Sequence, residues 1–251
     1  MAEDQEAIPI LYEEAHFMLV NKPAGLFAQA APGVPSLEGQ LAEQIKRRDQ
    51  HLGTPFVGLP HRLDRATSGI MLIARNQRAL AKFGQQFQSR KVRKFYVALV
   101  EGELPPGDHL WEDSIRKVTD EPRAEIVSFE TPGAKVAQMR IRSLWNGQGR
   151  SVVLVELLTG RMHQIRLQAA ARGFPVVDDL LYGNSDLCPE QRLASREAPH
   201  ALHAYSLEFH HPQSAKIISG QAPLPDHWQC YGEDVCRQIE MISQAGLGFV
   251  S

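Results

Sequence analysis

The middle of the chain is written as a β-hairpin. Lys135–Leu144 and Ser151–Leu158 are strand-like runs, and Asn146-Gly147-Gln148-Gly149 between them supplies the residues a tight turn needs. Strands joined in this way lie antiparallel, and an isolated pair is unstable in water, so the chain must add further strands. It has them. Ile8–Tyr12 and Phe17–Asn21 read as short strands, and Gly69–Ala74 is an apolar run of strand length. Val92–Val100 alternates, with Tyr96, Ala98 and Val100 on one side and Phe95, Val97 and Leu99 on the other. Ala124–Phe129 is another strand, and Leu202–Phe209 faces Lys216–Ser219 across His211-Pro212-Gln213. Helices are interspersed. Ser36 caps one carrying Leu37, Leu41 and Ile45, and Asn76 caps one reaching about Ser89 with Leu80, Phe83 and Phe87 on one face. Met162–Ala171 has helical spacing, which places Arg161 and Arg166 at one helix start on faces some 140° apart. Pro189–Pro199 is loop or a short helix, and the tail from Pro225 is helical through Trp228, Val235, Ile239 and Ile242. The expectation is an α+β fold with a largely antiparallel or mixed sheet.

Composition narrows the class. A chain of 251 residues with 43% hydrophobic and 22% charged residues is an ordinary globular protein, one large domain or one with an appendage. No apolar run approaches the ~20 residues of a membrane helix, and the acidic start from Met1 to Glu6 lacks the features of a secretory signal. Cys188, Cys230 and Cys236 are an odd, sparse set without a CxxC pair. They argue against a disulfide scaffold or structural zinc and favour a reducing compartment, hence a cytoplasmic location. The net charge of −2 hides an asymmetry: twelve Lys and Arg lie between Lys46 and Lys94, against Asp49 and Asp64 alone. That stretch is either a solvated face or a phosphate-binding surface, with Lys46, Arg47, Arg48, Arg90, Lys91 and Arg93 as candidate contacts.

Chemistry-bearing residues are densest in His61-Arg62-Leu63-Asp64-Arg65-Ala66-Thr67-Ser68-Gly69, a loop ahead of an apolar strand. Asp64, flanked by two arginines, is either an ordinary loop ion-pair member or an ionised nucleophile or base. His61 and Ser68 do not make a hydrolase pair, because no G-x-S-x-G elbow exists. A second cluster, Arg161, His163, Gln164 and Arg166, suits either an exposed helix end or a site for an anion or a base edge. Adjacent Asp178 and Asp179 point to opposite faces of an extended chain, which disfavours a metal, and His200, His203, His210 and His211 show no ligand spacing.

Taken together, these segments resemble the RluA family of RNA pseudouridine synthases. His61-Arg62-Leu63-Asp64 with Thr67-Ser68-Gly69 looks like that family's catalytic signature. Four further blocks follow the family order: Asn21-Lys22-Pro23-Ala24-Gly25 upstream, then Lys94–Ala98 with Gly102, then Gly160–Arg166, then Asp179 with Tyr182-Gly183. Leu202-His203-Ala204 with His211-Pro212 closes the match, which runs from about Asn21 to Pro212. The chain departs from the family pattern at Met162, Gln168 and Asp178, and not at Asp64, Tyr96 or Arg166.

The resemblance implies an α+β pseudouridine synthase core, with a central mostly antiparallel or mixed sheet, flanking helices and a cleft. It implies residues 1–224 as the catalytic domain and 225–251 as its helical extension, without a separate N-terminal RNA-binding domain. It further implies isomerisation of a uridine in structured RNA, ribosomal or transfer, by a monomer with no cofactor, no metal, no membrane and no obligate protein partner. Asp64 would be the essential carboxylate, Arg166 its partner, and Tyr96 the stacking residue and candidate acceptor of the carbon-5 proton. Arg62 would fill the space left by a flipped nucleotide. Arg65, Arg161, His163 and Gln164, with Arg90, Lys91 and Arg93, would contact RNA. The competing expectation is an RNA-binding assembly factor on the same fold with little or no catalysis.

Overall fold

The computed structural model describes residues 7–50, 52–183, 199–245, 247 and 249. Cys188 and all of Pro189–Pro199 but its last residue lie outside these. The chain divides into two compact units, each assembled from separated segments: residues 1–92 with 204–225, and residues 93–203 with 226–251.

The first unit holds β1 (Ile10–Glu13), β2 (Phe17–Lys22), β3 (Ser68–Ala74), β10 (Ile217–Gln221) and, from Ala204 on, β9 (Leu202–His210). The strands run in the order β1-β2-β3-β9, with β10 on β9. The β1–β2, β2–β3 and β9–β10 ladders are all antiparallel. Every residue of β3 is buried, as its unbroken apolar run predicts. Two helices complete the unit, α1 (Leu37–Arg48) and α2 (Gln77–Gln88). The Ser36 hydroxyl accepts from Gly39 N–H at 3.3 Å and the Asn76 side chain accepts from Ala79 N–H at 2.9 Å, each such cap contributing about 1 kcal/mol. Leu37, Leu41 and Ile45 are buried as the spacing requires. Phe17, Phe83 and Phe209 meet edge to face, with ring centroids 5.2, 5.6 and 5.9 Å apart, which ties β2, α2 and β9 into one core.

The second unit is an antiparallel sheet of β4 (Arg93–Glu101), β8 (Arg150–Leu157), β7 (Lys135–Gly147), β5 (Asp108–Lys117) and β6 (Ala124–Val127), in that spatial order. The β7–β8 hairpin closes through Gln148 and Gly149, both with positive φ, +57° and +71°. That is the turn whose twist matches the strands it joins. Strand β5 escapes sequence reading. Trp111 and Ile115 face inward, but the inward position between them is Asp113, which breaks the apolar alternation. The fold accepts it because Gln168 and Arg172 donate to its carboxylate at 2.6 and 2.8 Å.

Helix α3 is Gln164–Ala171, shorter than the expected Met162–Ala171. His163 at its N-cap adopts the left-handed conformation, φ +52°, so Arg161 stands outside the helix. Angular spacing on a shared helix therefore does not separate Arg161 from Arg166, and that expectation is corrected. In the tail, a 3-10 turn (Asp226–Tyr231) precedes α4 (Glu233–Ala245). Trp228, Val235, Ile239 and Ile242 are buried within the second unit, as their spacing predicts.

Candidate active site

In the first unit, the loop from His61 to Thr67 is held at its ends and open in its middle. Leu63, Ala66, Thr67 and Ser68 are buried, whereas Arg62 is exposed and Asp64 partly buried. Thr67 N–H donates to the Asp64 carbonyl at 3.2 Å, which closes a turn around the acid. Arg65 reaches back to the Lys22–Gly25 segment twice: its Nε donates to the Gly25 carbonyl, and its own carbonyl accepts from Gly25 N–H, both at 2.8 Å. Its guanidinium lies 4.7 Å over the Phe27 ring. Gly69 follows at φ +119°, and a Cβ there would lie 2.2 Å from the Ala204 carbonyl oxygen. Only glycine fits where this loop enters β3.

Beneath the loop lies Lys22, the last residue of β2 and fully buried. Its Nζ donates to the carbonyls of Pro23, Leu26 and Arg65 at 2.8, 2.7 and 3.1 Å, one acceptor for each ammonium proton. Burial pushes its pKa down to about 7; the Asp64 carboxylate opposes that fall and Arg65 adds to it. The lysine thus joins the Asn21–Gly25 block to the Asp64 loop through backbone carbonyls.

In the second unit, Tyr96 sits on β4, 9% exposed and opposite Val155 of β8. Arg166 projects from α3 into a buried ion pair: Nε donates to Asp179 Oδ2 at 2.6 Å and Nη2 to Oδ1 at 2.7 Å, with both residues nearly inaccessible. Asp179 Oδ1 also accepts from Leu181 and Tyr182 N–H at 3.0 and 3.3 Å. Burial pushes this carboxyl up, but the bonds and charge of Arg166 outweigh it, and its pKa ends below the usual carboxylate value. The fork-to-fork geometry fixes the guanidinium plane, and the Tyr182 ring lies 5.2 Å from it. The Tyr182 hydroxyl accepts from Ala124 N–H at 2.9 Å and meets His163 Nδ1 at 2.9 Å, which ties β6 to the start of α3. Gly183 closes the turn: its N–H donates to the Asp179 carbonyl at 2.7 Å, where a Cβ would collide.

The expected site residues therefore fall into two groups. Asp64, Arg62 and Arg65 share one loop of the first unit, where Arg90 and Lys91 follow α2 as exposed residues, Arg90 at φ +57°. Tyr96, Arg161, His163, Gln164 and Arg166 belong to the second unit, as does Arg93, whose Nε donates to Glu156 at 2.9 Å. Gln164 is placed unlike an exposed RNA-reading residue. It is 2% exposed, its amide nitrogen donates to the Gln138 carbonyl, and its oxygen accepts from Thr159 Oγ and Arg161 N–H. Arg161 Nε donates to the Val136 carbonyl at 2.9 Å. Reading by residue type alone gave no role to Lys22 or Asp179. The available signal was a charge set directly against apolar runs, Phe17–Val20 for one and Val176-Val177 with Leu180-Leu181 for the other, which demands a buried partner. Among the described residues, no group of three or more His, Cys, Asp or Glu side chains is placed to hold a metal ion.

Comparison with known proteins adds to this geometry. Residues 16–171 match the family described as RNA pseudouridylate synthase. A ribosomal large subunit pseudouridine synthase D from Xylella fastidiosa is 34% identical over 244 residues, covering 94% of this chain and 70% of that one. A ribosomal large subunit pseudouridine synthase C from Buchnera aphidicola is 28% identical over 229 residues, covering 88% and 69%. The solved structure of human RNA pseudouridylate synthase domain containing 4 aligns with a TM-score of 0.74 at 21% identity, over 91% of this chain and 93% of that one, a likeness of fold.

Proposed function

This chain belongs to the RNA pseudouridylate synthase family, and from that premise we propose that it isomerises uridine in large-subunit ribosomal RNA with Asp64 as the reacting carboxylate. The glycosidic bond from C1′ to N1 breaks, a C1′–C5 bond forms, N1 is protonated and the proton on C5 is lost. That bookkeeping needs no redox partner. It needs one ionised carboxylate that can attack the sugar or the base, or take the ribose 2′ proton. The observation that carries the reading is the Asp64 loop: a partly buried carboxylate between two arginines, in a loop whose backbone Lys22 bonds and whose Arg65 bonds Gly25.

In this reading Arg166, fixed by Asp179, supplies the positive charge that keeps the reacting carboxylate ionised, and Tyr96 stacks on the uracil and accepts the C5 proton. The target nucleotide leaves its stack to react, with Arg62 entering the space. Arg65, Arg161 and His163, and the Arg90–Arg93 group, carry phosphates. Ribosomal rather than transfer RNA is favoured because the relatives above are named for the large subunit. A cytoplasmic location agrees with the sparse cysteines.

The test is tritium release from RNA carrying uridine labelled at C5, with wild type and Asp64→Asn. Release by wild type and its loss in the variant supports isomerisation by Asp64. Binding without release by wild type would make the protein an assembly factor. Mapping pseudouridines in cells with and without the gene then identifies the RNA.

A further inference from the structure

We propose that His61 is a positioning residue for the Asp64 loop, acting as a neutral hydrogen-bond acceptor. The inference rests on the reading of Asp64 as the reacting carboxylate. It starts from a gap in the ladder beside β3. Gly58 and Ala74 exchange both backbone hydrogen bonds, at 2.9 and 2.8 Å, as an isolated antiparallel bridge. Two residues further on, the next partners in that register are Pro60 and Leu72. Proline has no N–H to donate to the Leu72 carbonyl, so the paired exchange of bonds seen at Gly58 and Ala74 cannot be repeated here. At this point the Leu72 N–H is taken by the His61 ring, donating to Nε2 at 3.0 Å. Leu72 is fully buried, so a lost acceptor here carries the full cost of an unsatisfied amide. The same ring stacks on Phe87 of α2, centroids 4.6 Å apart and planes 22° from parallel.

Three residues past the Gly58–Ala74 bridge, His61 thus ties the chain to β3 by one bond and to α2 by one stack. Asp64 comes three residues later. Between the two anchors, His61 on one side and Arg65 with Lys22 on the other, the acid has little freedom to wander. Reactions that depend on a near-attack geometry can lose ~100-fold in rate for a 1 Å displacement. The assigned chemistry is specific: Nε2 accepts, so the ring is neutral with its proton on Nδ1. His61 needs no contact with RNA for this role.

The experiment compares His61→Phe, which keeps the stack and loses the acceptor, with His61→Gln, whose amide oxygen reaches about as far as Nε2. Single-turnover tritium release, RNA affinity and amide exchange at Leu72 are measured for each, with Asp64→Asn alongside. His61→Phe should slow turnover on the order of 10–100-fold, with affinity held within roughly threefold, as expected for a group that acts on the bound state. Its Leu72 amide should exchange faster, and His61→Gln should recover both the rate and the protection. Equal rates in His61→Phe and wild type, or a His61→Gln as slow as His61→Phe, would overturn the proposal. Should His61→Phe not fold, the wild-type imidazole decides: nitrogen NMR should show an unprotonated Nε2 and a protonated Nδ1, and the opposite tautomer overturns the assignment. If Asp64→Asn itself turns over normally, the functional reading has failed. If Asp64→Asn is inactive while His61→Phe runs at the wild-type rate, only the positioning role falls.

Discussion

The loop bearing Asp64 and the helix bearing Arg166, the two charges of the proposed reaction, are held by different sets of contacts. Around Asp64, Lys22 and Arg65 bond backbone carbonyls, and His61 accepts from an amide of β3. The acid itself is partly buried. Arg166 is instead buried, and its own guanidinium is the restrained group, gripped by Asp179. A charge that must react is best positioned through its neighbours. A charge that must only exert a field can be locked directly, since its role needs no motion. The two regions should therefore respond differently to substitution, in rate alone for one and in rate and stability together for the other.

The largest effect should come from Asp64→Asn. Tritium release should fall far more than tenfold, a factor that itself corresponds to about 1.4 kcal/mol of barrier, while the melting temperature stays near that of wild type. Arg166→Ala should match it in lost turnover but also melt lower. A variant of Arg166 with normal rate and stability would erase the contrast.

Next in size is the stability of the ion pair. Asp179→Ala removes the carboxylate that grips the buried Arg166 guanidinium and should cost about 3–5 kcal/mol in denaturant unfolding. Replacing both partners by Met and Leu should recover most of that loss, because a buried pair is often no better than an apolar one. A double variant as unstable as the single would mean that the pair's neighbours, rather than the lone charge, set the cost.

Lys22 gives the first unit its own signature in pH. Its folded pKa, about 7, lies below the ordinary 10.5. Between those values the unfolded chain binds more protons than the folded one, so this group makes stability rise with pH there. The burial penalty is complete below about 7 and gone by about 10.5. The melting temperature of wild type should accordingly climb across that window relative to Lys22→Met. Parallel pH profiles for the two proteins would remove Lys22 from the account.

The smallest effect concerns binding. Neutralising Arg90, Lys91 and Arg93 together should flatten the dependence of log affinity on log salt by about 0.7–0.9 per true phosphate contact. Arg93 is shared with Glu156, so its share should be the weakest. An unchanged slope would reduce the stretch to a solvated face.

Local chemistry wrote much of this protein plainly. Both helix caps, the β7–β8 turn, the buried run of β3 and the apolar face of the tail helix depend on residues adjacent in sequence or one turn apart, so periodicity and turn chemistry disclosed them. The Asp64 loop was likewise visible, as a dense polar motif before an apolar strand. Three things were decided only by tertiary structure. Strand β5 hides because Asp113 points inward, and its compensating partners Gln168 and Arg172 lie more than fifty residues away. Helix α3 starts at Gln164 because His163 turns left-handed, although the spacing from Met162 onward is helical. The roles of Lys22 and Asp179 are not legible from their own segments, because a buried charge is defined by what neutralises it. Lys22 finds two of its acceptors locally, at Pro23 and Leu26, but the third, the Arg65 carbonyl, lies 43 residues away, and the Asp179 partner Arg166 lies 13 residues away; the fold supplies both of these.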